Sequence, residues 1–176
     1  MKPKPLTAAP VDRLVRLQLQ QTNRPLDVLT HWRRERYLNL SPPYQRGDVW
    51  GTTRRVNFIR SLLLGIPVAS VIINDRFGAE WADDLQVVVI DGKQRCTTIL
   101  MWFDGQLRIP SAWLDPRWIE VPQEFVSWSE LSEVGRRKFG NYAMPFSEGR
   151  LPSIEAEREV FELVNYGGVP QGCSDL

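Results

Sequence analysis

The chain has 176 residues, of which 43% are hydrophobic and 24% charged, with a formal net charge of +1. This is the size and balance of one globular domain with its own core, and it excludes a wholly disordered chain and any global attraction to DNA or anionic membrane. A single histidine (His31) and two cysteines (Cys96 and Cys173) outside any Cys-x-x-Cys spacing exclude a His-based metal cluster, an HNH-type nuclease centre and a disulfide framework built from this chain alone.

Residues 1–22 are expected to be a flexible tail, rich in proline and lysine at its start, and residues 23–176 the folded domain. No segment approaches the ~20 apolar residues of a membrane span, and the N-terminus leads into no apolar signal core, so a cytoplasmic location is expected. From Pro25 the pattern predicts a helix with Leu26, Leu29, Trp32 and Arg33 on one face. A short strand over Tyr37–Leu40 follows, stopped by Ser41-Pro42-Pro43. The clearest helix begins with Thr52 or Thr53 as cap. Its predicted stripe is Val56, Ile59, Leu62 and Leu63, with Arg54, Arg55, Asn57 and Arg60 facing away, and Gly65 and Pro67 end it.

Val68–Ile73 reads as a strand, Asn74–Asp84 as a loop, and Leu85–Ile90 as a nearly all-apolar strand buried on both faces. A helix then runs through Ile99, Leu100, Trp102 and Phe103 to Gly105, and Gln106–Ser127 is irregular. Ser127 and Glu130 form a capping box for a helix ending near Phe139–Gly140. Tyr142–Phe146 is a candidate strand, and the last helix starts near Ser153 with Val160, Phe161 and Val164 inward. Helices mixed with mostly non-sequential short strands argue for a single α+β domain.

The chemistry concentrates at Asp91-Gly92-Lys93-Gln94-Arg95. A buried strand that enters a helix through glycine leaves backbone N–H groups free at the helix N-terminus, a ready anion site, and Lys93 and Arg95 add positive charge. Asp91 would repel a phosphate unless it holds Mg²⁺, positions a hydroxyl or caps the helix. Cys96 reads as a small buried hydrophobe and most tryptophans as core or loop anchors. The runs Arg33, Arg34, Arg36 and Arg54–Arg55 read as solvated helix faces or as local basic patches.

The five-residue string has company. Ser41-Pro42-Pro43-Tyr44-Gln45-Arg46 followed by Trp50, Leu62–Pro67, Val89–Thr98, and Glu159–Gly168 with Phe161, Asn165, Gly167 and Gly168 occur in order along the chain. Together they resemble the N-terminal domain of GmrSD-type restriction endonucleases, within the ParB/sulfiredoxin-like superfamily. Lys93 stands where that family usually has Gln, and Cys96 where an apolar residue is common.

The resemblance implies a small mixed sheet with surrounding helices that binds a nucleoside triphosphate, with Mg²⁺, at the Asp91 corner. By motif, Asp91, Gln94 and Arg95 are carried over as catalytic residues, with Asp91 also the Mg²⁺ ligand. Tyr44, Gln45, Arg46, Gly92, Lys93, Arg95, Thr97 and Thr98 are carried over as nucleotide- and phosphate-binding. Trp50, Asn165, Gly167 and Gly168 are further motif positions, although a Gly-rich helix stop is reason enough for the last two. The function expected is a nucleotide-binding module, with weak NTPase activity as an option, that senses or regulates DNA in a restriction, phage-defence or mobile-element setting. A non-hydrolysing DNA-binding or adaptor protein and a kinase-like phosphotransferase are the alternatives. Nuclease activity is expected only from a separate protein or domain, since Asp83 and Asp84 belong to none of these blocks. Zinc, haem and flavin are not expected.

Overall fold

The computed structural model describes residues 17–45, 47, 49–76, 81 and 86–166, with the backbone alone at Tyr166. Five strands form a mixed sheet: β1 (Gln20–Pro25), β2 (Leu38–Asn39), β3 (Val71–Asp75), β4 (Val87–Asp91) and β7 (Ala143–Gly149), in the order β1-β7-β3-β4-β2. β1 and β7 are antiparallel, β7 and β3 parallel, β3 and β4 antiparallel, and β4 and β2 parallel. The helices are α1 (Val28–Arg34), α2 (Thr52–Leu63), α3 (Lys93–Phe103), α4 (Glu133–Gly140) and α5 (Ile154–Tyr166). A small hairpin pairs β5 (Ile109–Pro110) with β6 (Phe125–Val126) inside the stretch expected to be irregular. The α+β, single-domain expectation holds.

Side chains alternate across a strand, so β3 and β4 serve two cores. Val71, Ile73, Val87 and Val89 join the main core with Leu29, Trp32, Ile59, Ile99 and Trp102 from α1, α2 and α3. Ile90 turns the other way and packs with Leu151, Val160 and Phe161, with Ile72, Tyr44 and Ala156 against them. This second core is thin. At roughly 1.5–3 kcal/mol per fully buried large apolar side chain, it anchors α5 but leaves much of its orientation to polar contacts.

Those contacts form a buried clasp. The Glu157 carboxylate of α5 accepts from Asn74 Nδ2 (2.7 Å), Arg76 Nε (2.8 Å), Arg76 Nη2 (2.7 Å) and the Tyr44 hydroxyl (3.0 Å). Asn74 also accepts from the Leu151 N–H (2.7 Å), and the Trp81 ring lies 4.3 Å from the Arg76 guanidinium. Burial, and then the Glu157 charge, push the Tyr44 phenol far above its ordinary pKa, so it stays a donor.

Several local expectations change. β1 takes in Gln20–Thr22, which the sequence places in the tail, and Pro25 closes this strand instead of opening a helix. The buried stripe of α2 is Arg55, Phe58, Ile59 and Leu62, one position round from the predicted one, with Gly51 at the cap position. Asn74 and Asp75 extend β3 into the expected loop. The Ser127–Glu130 capping box exists but caps a short 3₁₀ turn at Trp128–Glu130; α4 is capped by Ser132, whose Oγ accepts from the Gly135 N–H (3.2 Å). Val164 is 45% exposed, so the inward face of α5 is Glu157, Val160 and Phe161.

Arg76→Ala is expected to lower stability by ~3–5 kcal/mol, because it strands the Glu157 carboxylate without its counter-charge. Urea unfolding, read as a fall in midpoint at unchanged slope, checks this.

Candidate phosphate-binding cleft

The corner between β4 and α3 is shaped by one residue. Gly92 has φ 101° and occupies the cap position of α3. A Cβ there would lie 2.8 Å from Val71 Cγ2 and 3.0 Å from Arg95 Nη2, so both the backbone and the space require glycine. No side chain caps α3 and its first turn has no acidic residue, which leaves its leading N–H groups without an intrahelical partner. Asp91 does not cap; its Oδ2 accepts from Arg95 Nη2 (2.8 Å), one turn on. Arg95 Nη2 also reaches the Ser70 carbonyl (3.2 Å), while its Nε is buried with no acceptor.

This corner opens into a cleft of about 440 Å³, within the range of small-molecule sites. The stretch Ile90–Arg95 lines one side, Gln45, Val49, Trp50 and Arg54 a second, and Phe161 and Asn165 of α5 a third. Among the described residues its charges are Arg54, Lys93 and Arg95 against Asp91. Lys93 Nζ donates to Ser41 Oγ (3.0 Å). Asn165 Nδ2 donates back to the Phe161 carbonyl (2.9 Å).

The amides of two glutamines hold the cleft together. Gln45 Nε2 donates to the carbonyls of Val89 and Ile90, which leaves its buried Oε1 with no donor. Gln94 Oε1 accepts from the N–H groups of Val49 (3.3 Å) and Trp50 (3.2 Å), and its Nε2 donates to the Gly47 carbonyl (3.3 Å). Gln94 therefore spends its polar atoms on the loop before α2. Arg55, read from sequence as outward-facing, is 3% exposed, and donates to the Trp50 carbonyl (3.1 Å) and to Thr98 Oγ1 (2.9 Å). Thr98 Oγ1 in turn donates to the Gln94 carbonyl (2.7 Å).

The motif residues thus divide. Gln45, Trp50, Asp91, Gly92, Lys93, Gln94, Arg95 and Asn165 meet at the cleft. Thr98 does not: its hydroxyl is enclosed by Arg55 and α3, which corrects the expectation that it offers an oxygen to phosphate. Thr97 is half-buried and away from the lining, and Tyr44 turns to Glu157 and Phe161. Arg46, Gly167, Gly168, Asp83 and Asp84 lie outside the described residues. Val49 is a lining residue that sequence reasoning does not single out; from sequence Arg54 reads only as a helix-face or patch residue and Phe161 only as a motif and core residue. For Arg54 a signal existed: a helix start carrying two arginines and no carboxylate.

The GmrSD restriction endonuclease N-terminal domain model matches residues 29–176. The chain belongs to this family. No curated protein matches it. Among solved structures it is similar to the C-terminally truncated chromosome-partitioning protein ParB from Caulobacter crescentus complexed with CTP-gamma-S. That match has 9% identity and TM-score 0.44, and covers 86% of this chain and 55% of that one, so the chain spans about half the length of the truncated ParB chain it matches.

In this GmrSD N-terminal domain the described residues include no group of three or more His, Cys, Asp or Glu side chains able to hold a metal. Asp91 is the one carboxylate among the described lining residues, which fits Mg²⁺ carried in with phosphate oxygens and water better than a cage of protein ligands. No helix among the described residues is long and apolar enough to cross a membrane. Cys96 is fully buried, and burial pushes its thiol up to about 12, with the Arg95 charge pulling the other way. It is therefore a protonated thiol at neutral pH. At pH 8 the native protein is expected to leave Cys96 unalkylated by iodoacetamide and the unfolded protein to react fully, as peptide mass mapping would record.

Proposed function

We propose that this domain binds a nucleoside triphosphate at the β4–α3 corner and transmits its presence to a restriction activity that resides in a partner nuclease or a further domain. The observation that carries the reading is the pair of helix starts at the cleft. Both α2 and α3 lack a side-chain cap and an acidic residue in the first turn, and both bring cations to the cleft: Arg54 on one, Lys93 and Arg95 on the other. Helix N-termini favour negative charge, so two starts of this kind at one cleft favour an anion there. By contrast α4 and α5 place serine and glutamate at their beginnings.

In this reading the N–H groups after Gly92 take the phosphate charge, with Lys93 and Arg95 above them. Asp91, now paired with Arg95, would hold Mg²⁺, which supplies shielding of the phosphates. The Gln94 amide, occupied by the Gly47–Trp50 loop, favours binding without hydrolysis over weak NTPase activity. Phosphate release measured with each nucleotide and Mg²⁺ separates the two.

ATP, GTP, CTP or UTP with Mg²⁺ is expected to raise the thermal midpoint. At a hundredfold excess over the dissociation constant the stabilisation is about 2.7 kcal/mol. Lys93→Ala is expected to remove most of the shift and leave the apo midpoint close to wild type; no shift with any of the four at millimolar concentration counts against the site.

The purified domain is expected not to cut modified or unmodified plasmid with Mg²⁺ or Mn²⁺, with or without nucleotide. Phosphodiester cleavage needs carboxylates that hold one or two ions beside a positioned water, and among the described residues Asp91 is the one carboxylate that lines the cleft. Cleavage that disappears in Asp91→Ala overturns this.

A further inference from the structure

Trp50 is held with more apparatus than a loop anchor needs. Both its backbone polar groups are fixed: the N–H donates to Gln94 Oε1 (3.2 Å) and the carbonyl accepts from Arg55 Nε (3.1 Å). Arg55 is itself buried and joined through Thr98 Oγ1 to the Gln94 carbonyl, which closes a ring of hydrogen bonds from α3 to the loop and back. Burying an arginine is costly unless its donors are satisfied, and here that cost positions an indole that stays half-buried at the cleft. The Trp50 ring meets the buried Phe58 at 5.7 Å and 64°, an edge contact. The guanidinium of the exposed Arg54 lies 4.7 Å from the ring centroid, and both side chains line the cleft. The other tryptophans are occupied elsewhere: Trp102 and Trp128 pack with Phe139, Trp32 with Phe146 and Trp118 with Tyr142, Trp81 covers Arg76, and Arg60 lies over Trp113.

Resting on the reading of the cleft as a triphosphate site, we propose that Trp50 is the platform on which the base of the bound nucleotide stacks, and that Arg54 is the guanidinium the base displaces from the ring. A base stacked face to face on an aromatic ring is in general held more strongly than an exposed guanidinium over the same ring, so the exchange favours the base. Arg54 stays on the cleft after it leaves the ring and adds its charge to the phosphate side. The ligand is therefore a free nucleotide, recognised through its base as well as its phosphates. Stacking accepts any base face, so discrimination among bases falls to other contacts.

Calorimetric titration with ATP, CTP and inorganic tripolyphosphate, each with Mg²⁺, tests this. Wild type is expected to bind the nucleotides about tenfold tighter than tripolyphosphate, the gain of a stacked base over the displaced guanidinium. Trp50→Leu should remove most of that advantage and weaken tripolyphosphate far less, and Trp50→Phe should restore most of it. Equal wild-type affinity for nucleotides and tripolyphosphate overturns the stacking role but leaves the anion site. Equal weakening of both ligands in Trp50→Leu overturns it too and makes Trp50 a structural anchor, as does no weakening of either. Wild-type binding of neither ligand removes the triphosphate reading together with this one. A single-stranded oligonucleotide without a triphosphate that competes with ATP at similar affinity overturns the assignment to a free nucleotide.

Discussion

Gly92 has room for a hydrogen and for nothing larger. Its positive φ turns the chain from β4 straight into α3, and the tight approach of Val71 on one side and Arg95 on the other leaves no other route. Because β4 is buried on both faces, the corner cannot drift: Val87 and Val89 are set in the main core and Ile90 in the second. The direction of α3, the placing of Lys93 and Gln94 at the cleft and the pairing of Asp91 with Arg95 all descend from this one turn.

From the corner, positional information travels through side-chain amides and one buried guanidinium instead of through apolar packing. Gln45 ties the loop after β2 to the carbonyls at the end of β4, and Gln94 and Arg55 tie the start of α2 to α3. Apolar packing resists separation but orients loosely, whereas hydrogen bonds fix direction as well as distance. A cleft assembled from three non-contiguous segments needs the second property to keep its walls in register. The Glu157 clasp serves the third segment in the same way. α5 rests on a thin apolar contact and takes its orientation from Asn74, Arg76 and Tyr44, and so Phe161 and Asn165 reach the cleft.

Membership of the GmrSD N-terminal family accounts for the order of the motifs, and the geometry divides their labour. Asp91, Gly92, Lys93 and Arg95 present charge and backbone donors; Gln94 and Thr98, in the same stretch of sequence, work on the loop and the buried arginine. Adjacent positions on a helix point about 100° apart, so a contiguous motif is bound to serve more than one surface.

Local signals were enough for much of the fold. The apolar run before Asp91, the glycine after it, the amphipathic stretch that became α2 and its Gly65 stop are written in adjacent residues, and each acts within a turn or two of its own position. The motif order was legible for the same reason, and it located the corner without any structure. Strand β1 was not legible, because Gln20–Pro25 is a polar edge strand with no apolar alternation; it exists through pairing with β7 and through Arg24 and Thr22 bonding to Glu148, more than a hundred residues away. Nor was the burial of Arg55 and Glu157, since a charged side chain reads as solvent-facing until the structure supplies partners from distant segments to satisfy it. Sequence by itself determined where backbone donors would be left open, because that depends on glycine, strand and helix start. Which side chains face those donors, and which only hold the walls, was decided by tertiary structure, because it depends on charges and hydrogen-bonding groups that meet only when β4, α2, α3 and α5 pack together.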